Sequence, residues 1–171
     1  MKKFRNIIIL GKSKKFMNIL NSIFPDSNKK FYSWRLLNQQ KFKKINKIDL
    51  IFLSGYDYST SIKSLNNYSN SNIYNPLNFV KKYSSKKTII FYINTDDNVK
   101  KFQMIKSYTF SRYEYAKKEL AYQLNKNFRN LKILNLPVII DSKGNPQIYG
   151  GPIVNFIFSF LVKNNFVNSI K

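Results

Sequence analysis

The sequence predicts a single α/β domain, residues 1–171, with a parallel β-sheet covered by helices on both faces. Strand-like and helix-like segments alternate along the chain, which is typical of parallel sheets. The strand-like segments are continuous apolar runs, as expected for strands buried on both sides. The length of 171 residues suits one domain, and a hydrophobic share of 43% is sufficient for a core.

From the amino terminus, apolar patterning predicts the first three strands and the first helix. Residues 7–10 are four consecutive apolar residues that end at Gly11. The next segment repeats apolar residues at helical spacing until a turn at residues 25–28. Residues 30–34 are rich in aromatic strand formers, and residues 49–53 form another buried strand.

The alternation continues in the second half of the chain. Residues 56–71 are polar and rich in Ser and Asn, which predicts a loop. Pro76 opens a helix that ends near residue 83, before the clearest strand, residues 88–93. Four further elements are predicted: a helix over 111–125, a strand or strand pair over 131–140, a turn at 144–146 and an apolar helix over 152–162.

The charge is strongly unbalanced, because 30 Lys and Arg face 8 Asp and Glu, for a formal net charge of +22. An A/T-rich genome favours Lys, Asn, Ile, Phe and Tyr codons and explains part of this composition. A surface this basic also attracts polyanions. RNA, an acidic protein or an anionic membrane face are therefore candidate partners, and both explanations stay open.

The chain contains no cysteine and no histidine. Disulfides, the usual zinc sites and histidine-activated nucleophiles are therefore excluded. Any acid–base chemistry must use Tyr, Lys, Asp or Glu. Asp96 and Asp97 are the only adjacent acids and lack the partners of a metal site, so no metal is predicted.

The sequence carries no strong targeting signal. The apolar run at residues 7–10 is too short for a secretory signal peptide. The longest apolar run, residues 153–162, is well below the roughly 20 residues of a spanning helix. We therefore expect no membrane span and no secretion, and a location in the cytoplasm or an organelle matrix.

Ligands of open parallel sheets bind at the carboxyl ends of the strands. That rule singles out residues 11–15, Arg35, residues 54–56 and residues 94–97. Several of these segments, in this order, resemble the extended short-chain dehydrogenase/reductases, the nucleotide-sugar epimerase and dehydratase group. The resemblance rests on Ile8-Ile9-Leu10-Gly11 before a helix, on residues 49–55, on residues 89–95, on Tyr113-x-x-x-Lys117 and on Leu136-Pro137-Val138.

This resemblance implies a Rossmann-like sheet and a catalytic set of Tyr113, Lys117 and Thr95. Tyr113 would act as the acid–base, and Thr95 would hydrogen-bond the reacting oxygen. Lys117 lies four residues after Tyr113, on the same helix face, where an ammonium favours the phenolate and lowers the pKa of the tyrosine. A second alignment of the motif places Tyr108 and Arg112 at these positions, with Arg in place of the lysine.

The resemblance also implies NAD or NADP as cofactor. Its binding residues would be Gly11, Ser13, Arg35, Gly55 and Lys117, with Arg35 where NADP-preferring members carry a basic residue. The family's first turn has three glycines, but Lys14 and Met17 stand at the second and third positions. We expect Met17 to push the helix off the sheet. The chain is also short, with no evident third strand between residues 34 and 49.

Two functions follow from these observations. The missing glycines and the shortness favour a degenerate, non-catalytic domain whose basic surface binds RNA or a large assembly, in an organelle or the cytoplasm. The alternative is an NAD(P)-dependent enzyme of the epimerase, dehydratase or reductase type, acting on a nucleotide sugar. Whether the chain is an enzyme is therefore left open at this point.

Overall fold

The computed structural model describes residues 4–11, 14–37, 47–95, 108–136, 138–139 and 169–170. The chain divides into two compact units. The first contains Met1–Ile93 and Ser107–Ile133, and the second contains Asn94–Lys106 and Leu134–Lys171.

A five-stranded sheet with the order β2-β1-β3-β4-β5 forms the centre of the fold. The pairings of β1 with β2, β1 with β3, and β3 with β4 are parallel. The predicted parallel α/β fold is thereby confirmed. The strands are β1 (Asn6–Leu10), β2 (Asn28–Tyr32), β3 (Leu50–Leu53), β4 (Ile89–Thr95) and β5 (Leu131–Leu136).

The helices connect and cover these strands. They are α1 (Lys14–Ile23), α2 (Leu65–Ser69), α3 (Asn75–Tyr83) and α4 (Tyr108–Asn127). A π-helical turn, Asn70–Tyr74, joins α2 to α3, and 3-10 turns cover Trp34–Leu36 and Tyr58–Thr60. Within the described residues, none of the helices has both the length and the apolar character needed to cross a bilayer.

The two faces of the sheet bury different sets of side chains because strand residues alternate in direction. On one face, Leu77 and Val80 of α3 and Leu120 and Leu124 of α4 pack against the sheet. On the other face, Leu20 of α1 is 2% exposed and Phe16 contacts Phe52 edge-on, with ring centroids 5.7 Å apart. The predicted helices on both faces are therefore present.

The segment 56–71, predicted as a loop, contains a 3-10 turn and α2, so that prediction was wrong. Tyr68 and Ile73 are fully buried and lie among Ser and Asn residues, which masked the helical pattern. Ser64 caps α2, since its hydroxyl accepts a hydrogen bond from the Asn67 amide at 3.4 Å. An N-cap serine before a short apolar set was the signal that would have indicated this helix.

The second strand lies two residues earlier than predicted. Asn28 pairs with Asn6, and the strand ends at Tyr32. Trp34, predicted as its last residue, begins a 3-10 turn and is 6% exposed in the core. The large indole is held by packing in the core rather than by a strand ladder.

The second unit contains a separate small sheet in which β6 (Val138–Ile139) pairs in parallel with β7 (Ser169–Ile170). Of the two alternatives predicted over 131–140, a strand or a strand pair, the structure has the pair, β5 and β6. The predicted turn at 144–146 and the apolar helix over 152–162 lie outside the described residues.

Candidate functional site

Gly11 marks the carboxyl end of β1 and adopts a backbone angle, φ +137°, that L side chains rarely reach. Its amide donates to the Tyr32 carbonyl at 2.9 Å, and Ser54 donates to the Leu10 carbonyl through its amide at 2.9 Å. A Cβ at Gly11 would lie 2.5 Å from the Ser54 hydroxyl oxygen. Gly11 is therefore buried at the end of β1, where no side chain fits.

The helix after this turn packs on the sheet in spite of Met17. Met17 is half-buried, and α1 still contacts the sheet through Phe16 and Leu20. The predicted displacement of the helix by Met17 is thus not evident in its packing. Ser13 lies outside the described residues.

Gly55, after β3, is required by Trp34. A Cβ at Gly55 would lie 2.5 Å from the indole Cε3 and 2.9 Å from the Trp34 Cβ. The indole Nε1 also donates to the Ser71 carbonyl at 3.1 Å, in the π-helical turn. Gly55 therefore leaves the space that the Trp34 side chain occupies, next to Arg35.

Arg35 projects from the end of the β2 segment and is held by Asp57. Its Nε donates to Asp57 Oδ1 at 2.8 Å. The Arg35 side chain is 62% exposed and the Asp57 side chain is 5% exposed. Asp57 Oδ1 also accepts from the amide and hydroxyl of Ser59, at 3.1 and 2.6 Å. This bond engages Nε, while most of the Arg35 side chain stays exposed.

Asn72, in the π-helical turn, holds the backbone of this loop. Its Oδ1 accepts from the Asp57 amide at 2.8 Å, and its Nδ2 donates to the Thr60 hydroxyl at 2.9 Å. Asn72 is 1% exposed and Asp57 is 4% exposed, so water has little access to their polar atoms. Such buried polar atoms depend on hydrogen bonds within the protein.

Asn72→Leu should destabilise the fold by about 2 kcal/mol, because it leaves the buried Asp57 amide without an acceptor. Asn78→Leu, at an exposed position of α3, is the matched control and should change stability by less than about 0.5 kcal/mol. Urea unfolding followed by circular dichroism measures both. Equal stability of the two variants would contradict the role of Asn72.

Tyr113 lies in an aromatic group at the carboxyl edge. Its ring meets Tyr56 edge-on, with centroids 4.8 Å apart, and stacks on Tyr58 at 6.0 Å with an 8° angle between the ring planes. Tyr56 also contacts Tyr58 at 4.6 Å. Tyr56 follows Gly55 directly, so Tyr113 contacts the segment that follows β3.

Lys117 lies one helical turn after Tyr113 and is buried, at 9% exposed. Its Nζ donates to the Ile93 carbonyl at 2.9 Å and lies 5.0 Å from the ring centroid of Tyr92 and 5.8 Å from that of Tyr113. Burial lowers the pKa of Lys117 to about 8. The site thus keeps a desolvated ammonium beside the Tyr113 ring.

The neighbouring tyrosines are themselves buried or bonded. The Tyr92 hydroxyl donates to the Lys117 carbonyl at 3.2 Å, and burial raises the pKa of Tyr92 well above its usual value. The Tyr56 and Tyr68 hydroxyls are hydrogen-bonded to each other, and Tyr68 donates to the Arg112 carbonyl. Burial, first of all, raises the pKa values of Tyr56 and Tyr68.

Arg112, the basic residue of the second motif alignment, connects two segments of the fold. Its Nη1 donates to the carbonyls of Ser61 and Lys63, at 3.2 and 2.6 Å, and its guanidinium lies 5.3 Å from the Tyr68 ring centroid. Arg112 thus ties α4 to the loop after β3. Tyr113 and Lys117 remain the pair with an ammonium beside a tyrosine ring.

The structure gathers Gly11, Gly55, Tyr113 and Lys117 in the first unit, on the elements that meet at the carboxyl edge. Thr95 ends β4, and its side chain is not among those described. Sequence reasoning missed Asp57, Tyr58 and Asn72, which follow the singled-out segment 54–56. Among the described residues, no group of three or more acids could hold a metal ion.

Comparisons with known proteins give a fold and no family. No family model matches the chain, and no curated protein sequence matches it. A solved GalE-like L-threonine dehydrogenase from Cupriavidus necator, in its holo form, is 10% identical, with a TM-score of 0.54 over 90% of this chain and 59% of that one. An L-threonine dehydrogenase from Phytophthora infestans is 13% identical, with a TM-score of 0.49 over 94% and 61%.

The chain thus spans about three fifths of the length of these structures. At such identity the similarity to the Cupriavidus enzyme establishes the Rossmann-like α/β fold and nothing finer. The class of protein is therefore a Rossmann-like domain with a tyrosine–lysine pair at the carboxyl edge of its sheet.

Proposed function

We propose that this chain is an NADP-binding domain of the epimerase, dehydratase or reductase type, related to the short-chain dehydrogenase/reductases, with Tyr113 as its acid–base. The observation that carries the proposal is the buried Lys117 ammonium, 5.8 Å from the Tyr113 ring on the same helix face. A lysine loses hydration on burial, and ionisable groups perturbed in this way are concentrated at functional sites. In the family that the chain resembles, the lysine assists the catalytic tyrosine. The substrate class that follows from the resemblance is a nucleotide sugar.

Gly11 and α1 support a dinucleotide site after β1. Gly11 has no side chain and a φ of +137°, and the N-terminus of α1 follows at Lys14. A glycine before a helix N-terminus suits a diphosphate. In the sequence, Lys14 stands in place of the second glycine, and a positive charge at this position favours a diphosphate by Coulomb attraction.

Arg35 favours NADP over NAD. Its Nε is engaged by Asp57, while its side chain is 62% exposed at the carboxyl edge. A guanidinium fork recognises a phosphate group by paired hydrogen bonds. The ribose 2′-phosphate of NADP is the group that distinguishes the two cofactors.

The chemistry divides between cofactor and protein. Bound NADP would supply hydride acceptance or donation. Tyr113 would hold and move the proton at its hydroxyl oxygen, against a hydroxyl or carbonyl of the substrate. The Lys117 ammonium stabilises negative charge at this oxygen by Coulomb attraction, which is stronger in a poorly hydrated site.

Arg35→Met should weaken NADPH binding about 10-fold and leave NADH binding unchanged, as expected for a lost charged hydrogen bond of about 1.5 kcal/mol. Calorimetry at physiological salt measures both constants. Quenching of Trp34, the sole tryptophan, gives an independent signal because Trp34 adjoins Arg35 and Gly55.

Arg5→Met is the matched control, since it removes the same charge from an exposed position just before β1. It should leave both affinities unchanged. Absence of any NADPH or NADH binding by the unmodified protein would overturn the proposal and favour a non-catalytic domain. An equal loss in both variants would mean that net charge alone attracts the cofactor.

A further inference from the structure

A basic pocket lies at the amino edge of the sheet, opposite to the Tyr113 edge. The Asn130 side chain donates to the Lys86 carbonyl at 2.5 Å, and the Ile90 amide donates to the Asn130 carbonyl at 3.0 Å. The turn before β4 and the turn after α4 are thereby joined. Lys86, Ile90, Arg129 and Asn130 are among the residues that line the pocket.

The charge around this pocket has one sign. Residues 75–93 and 120–135 contain no Asp or Glu. These two segments carry seven basic side chains, and within the described residues none of the seven forms an ion pair. All seven are exposed: Lys81, Lys82, Lys86, Lys87, Lys126, Arg129 and Lys132. This patch, which we call the amino-edge patch, repels itself until an anion binds it.

An exposed aromatic side chain adjoins the amino-edge patch. Tyr122 is 61% exposed and lies four residues before Lys126, on the same face of α4. Apart from Tyr122, the segments that carry the patch expose only Ile133 among large apolar side chains. A surface with one aromatic ring and many cations suits stacking and phosphate contact better than insertion into a bilayer.

We propose that the amino-edge patch binds single-stranded nucleic acid, with the phosphates on its Lys and Arg side chains and a base stacked on Tyr122. Lys86 and Arg129 line the pocket and contact phosphate there. Binding is independent of sequence, because none of these groups is fixed to read a base edge. The site is separate from the proposed dinucleotide site, so one can fail without the other.

The test is fluorescence anisotropy of a labelled 12-nucleotide oligouridylate, titrated with the full chain across a salt series. The variant Lys86→Gln/Lys87→Gln/Arg129→Gln should lose more than about 10-fold in affinity at physiological salt. Its slope of log affinity against log salt should fall by about 2, at roughly 0.7 per phosphate contact on a single strand. Lys63→Gln/Lys118→Gln/Arg5→Gln removes the same charges at exposed sites elsewhere and should lose less than about 3-fold.

Tyr122→Leu separates stacking from charge. It should weaken oligouridylate binding about 10-fold, as expected for one lost stacked base, and leave inorganic polyphosphate binding unchanged. Equal losses in the two triple variants would overturn the proposal, because total charge would then account for binding. Tighter binding to anionic phospholipid vesicles or to polyglutamate than to the oligonucleotide would equally overturn it, in favour of a membrane or an acidic protein.

Discussion

The buried ammonium of Lys117 should destabilise the fold by about 3 kcal/mol at neutral pH, and Lys117→Met should abolish the pH dependence of this effect. The cause is burial, which lowers the pKa of Lys117 from 10.5 to about 8. Between pH 8 and 10.5 the unfolded chain keeps this proton and the folded chain does not. Stability contributed at this position therefore rises with pH through that window. Below pH 8 the buried ammonium exerts its full destabilising effect.

The measurement is the difference in unfolding free energy between the natural chain and Lys117→Met, by urea unfolding from pH 7 to 10.5. We expect the natural chain to gain about 3 kcal/mol relative to the variant across that range. The loss of the hydrogen bond to the Ile93 carbonyl adds a constant offset that does not change the slope. Titrating groups that do not interact with Lys117 are common to both proteins and cancel.

Lys118→Met is the control on the same helix. Lys118 is 60% exposed and pairs with Glu114 at 2.7 Å, so its ammonium stays hydrated. Its difference from the natural chain should stay flat over the same pH range. A flat difference for Lys117→Met as well would mean that water reaches its ammonium, which would remove the main support for the proposed Tyr113 site.

Much of the fold could be predicted from local patterns. The β1, β3 and β4 runs are apolar on both faces, and this pattern alone indicates a parallel sheet covered by helices. The predictions failed where contacts between distant residues determine the local structure. Trp34 lies outside the strand predicted for it because Gly55 provides space for its indole, a contact between residues 21 positions apart.

The candidate site could be predicted only in part. The spacing of Tyr113 and Lys117 places them on one helix face. It does not show that the Lys117 ammonium bonds the Ile93 carbonyl, since that depends on where β4 lies against α4. Asp57 and Asn72 were missed for the same reason, because a buried polar pair has no local signature.

Gly11→Ala should destabilise the chain by about 3 kcal/mol, because two effects combine at this residue. A φ of +137° costs an alanine about 1–3 kcal/mol of strain. The new Cβ would also lie 2.5 Å from the Ser54 hydroxyl oxygen, and overpacking of this kind costs about 1–3 kcal/mol. Urea unfolding at pH 7 measures the sum.

A second substitution separates the two effects. Ser54→Ala removes the oxygen that the new methyl group would meet, so Gly11→Ala/Ser54→Ala should be about 1 kcal/mol more stable than the sum of the single effects predicts. The strain at φ +137° should remain in the double variant. Strict additivity would mean that strain alone makes alanine unfavourable at this turn, and a small effect of Gly11→Ala would mean that the turn relaxes. In that last case the glycine proposed to lie beside the diphosphate would not be a requirement of the fold.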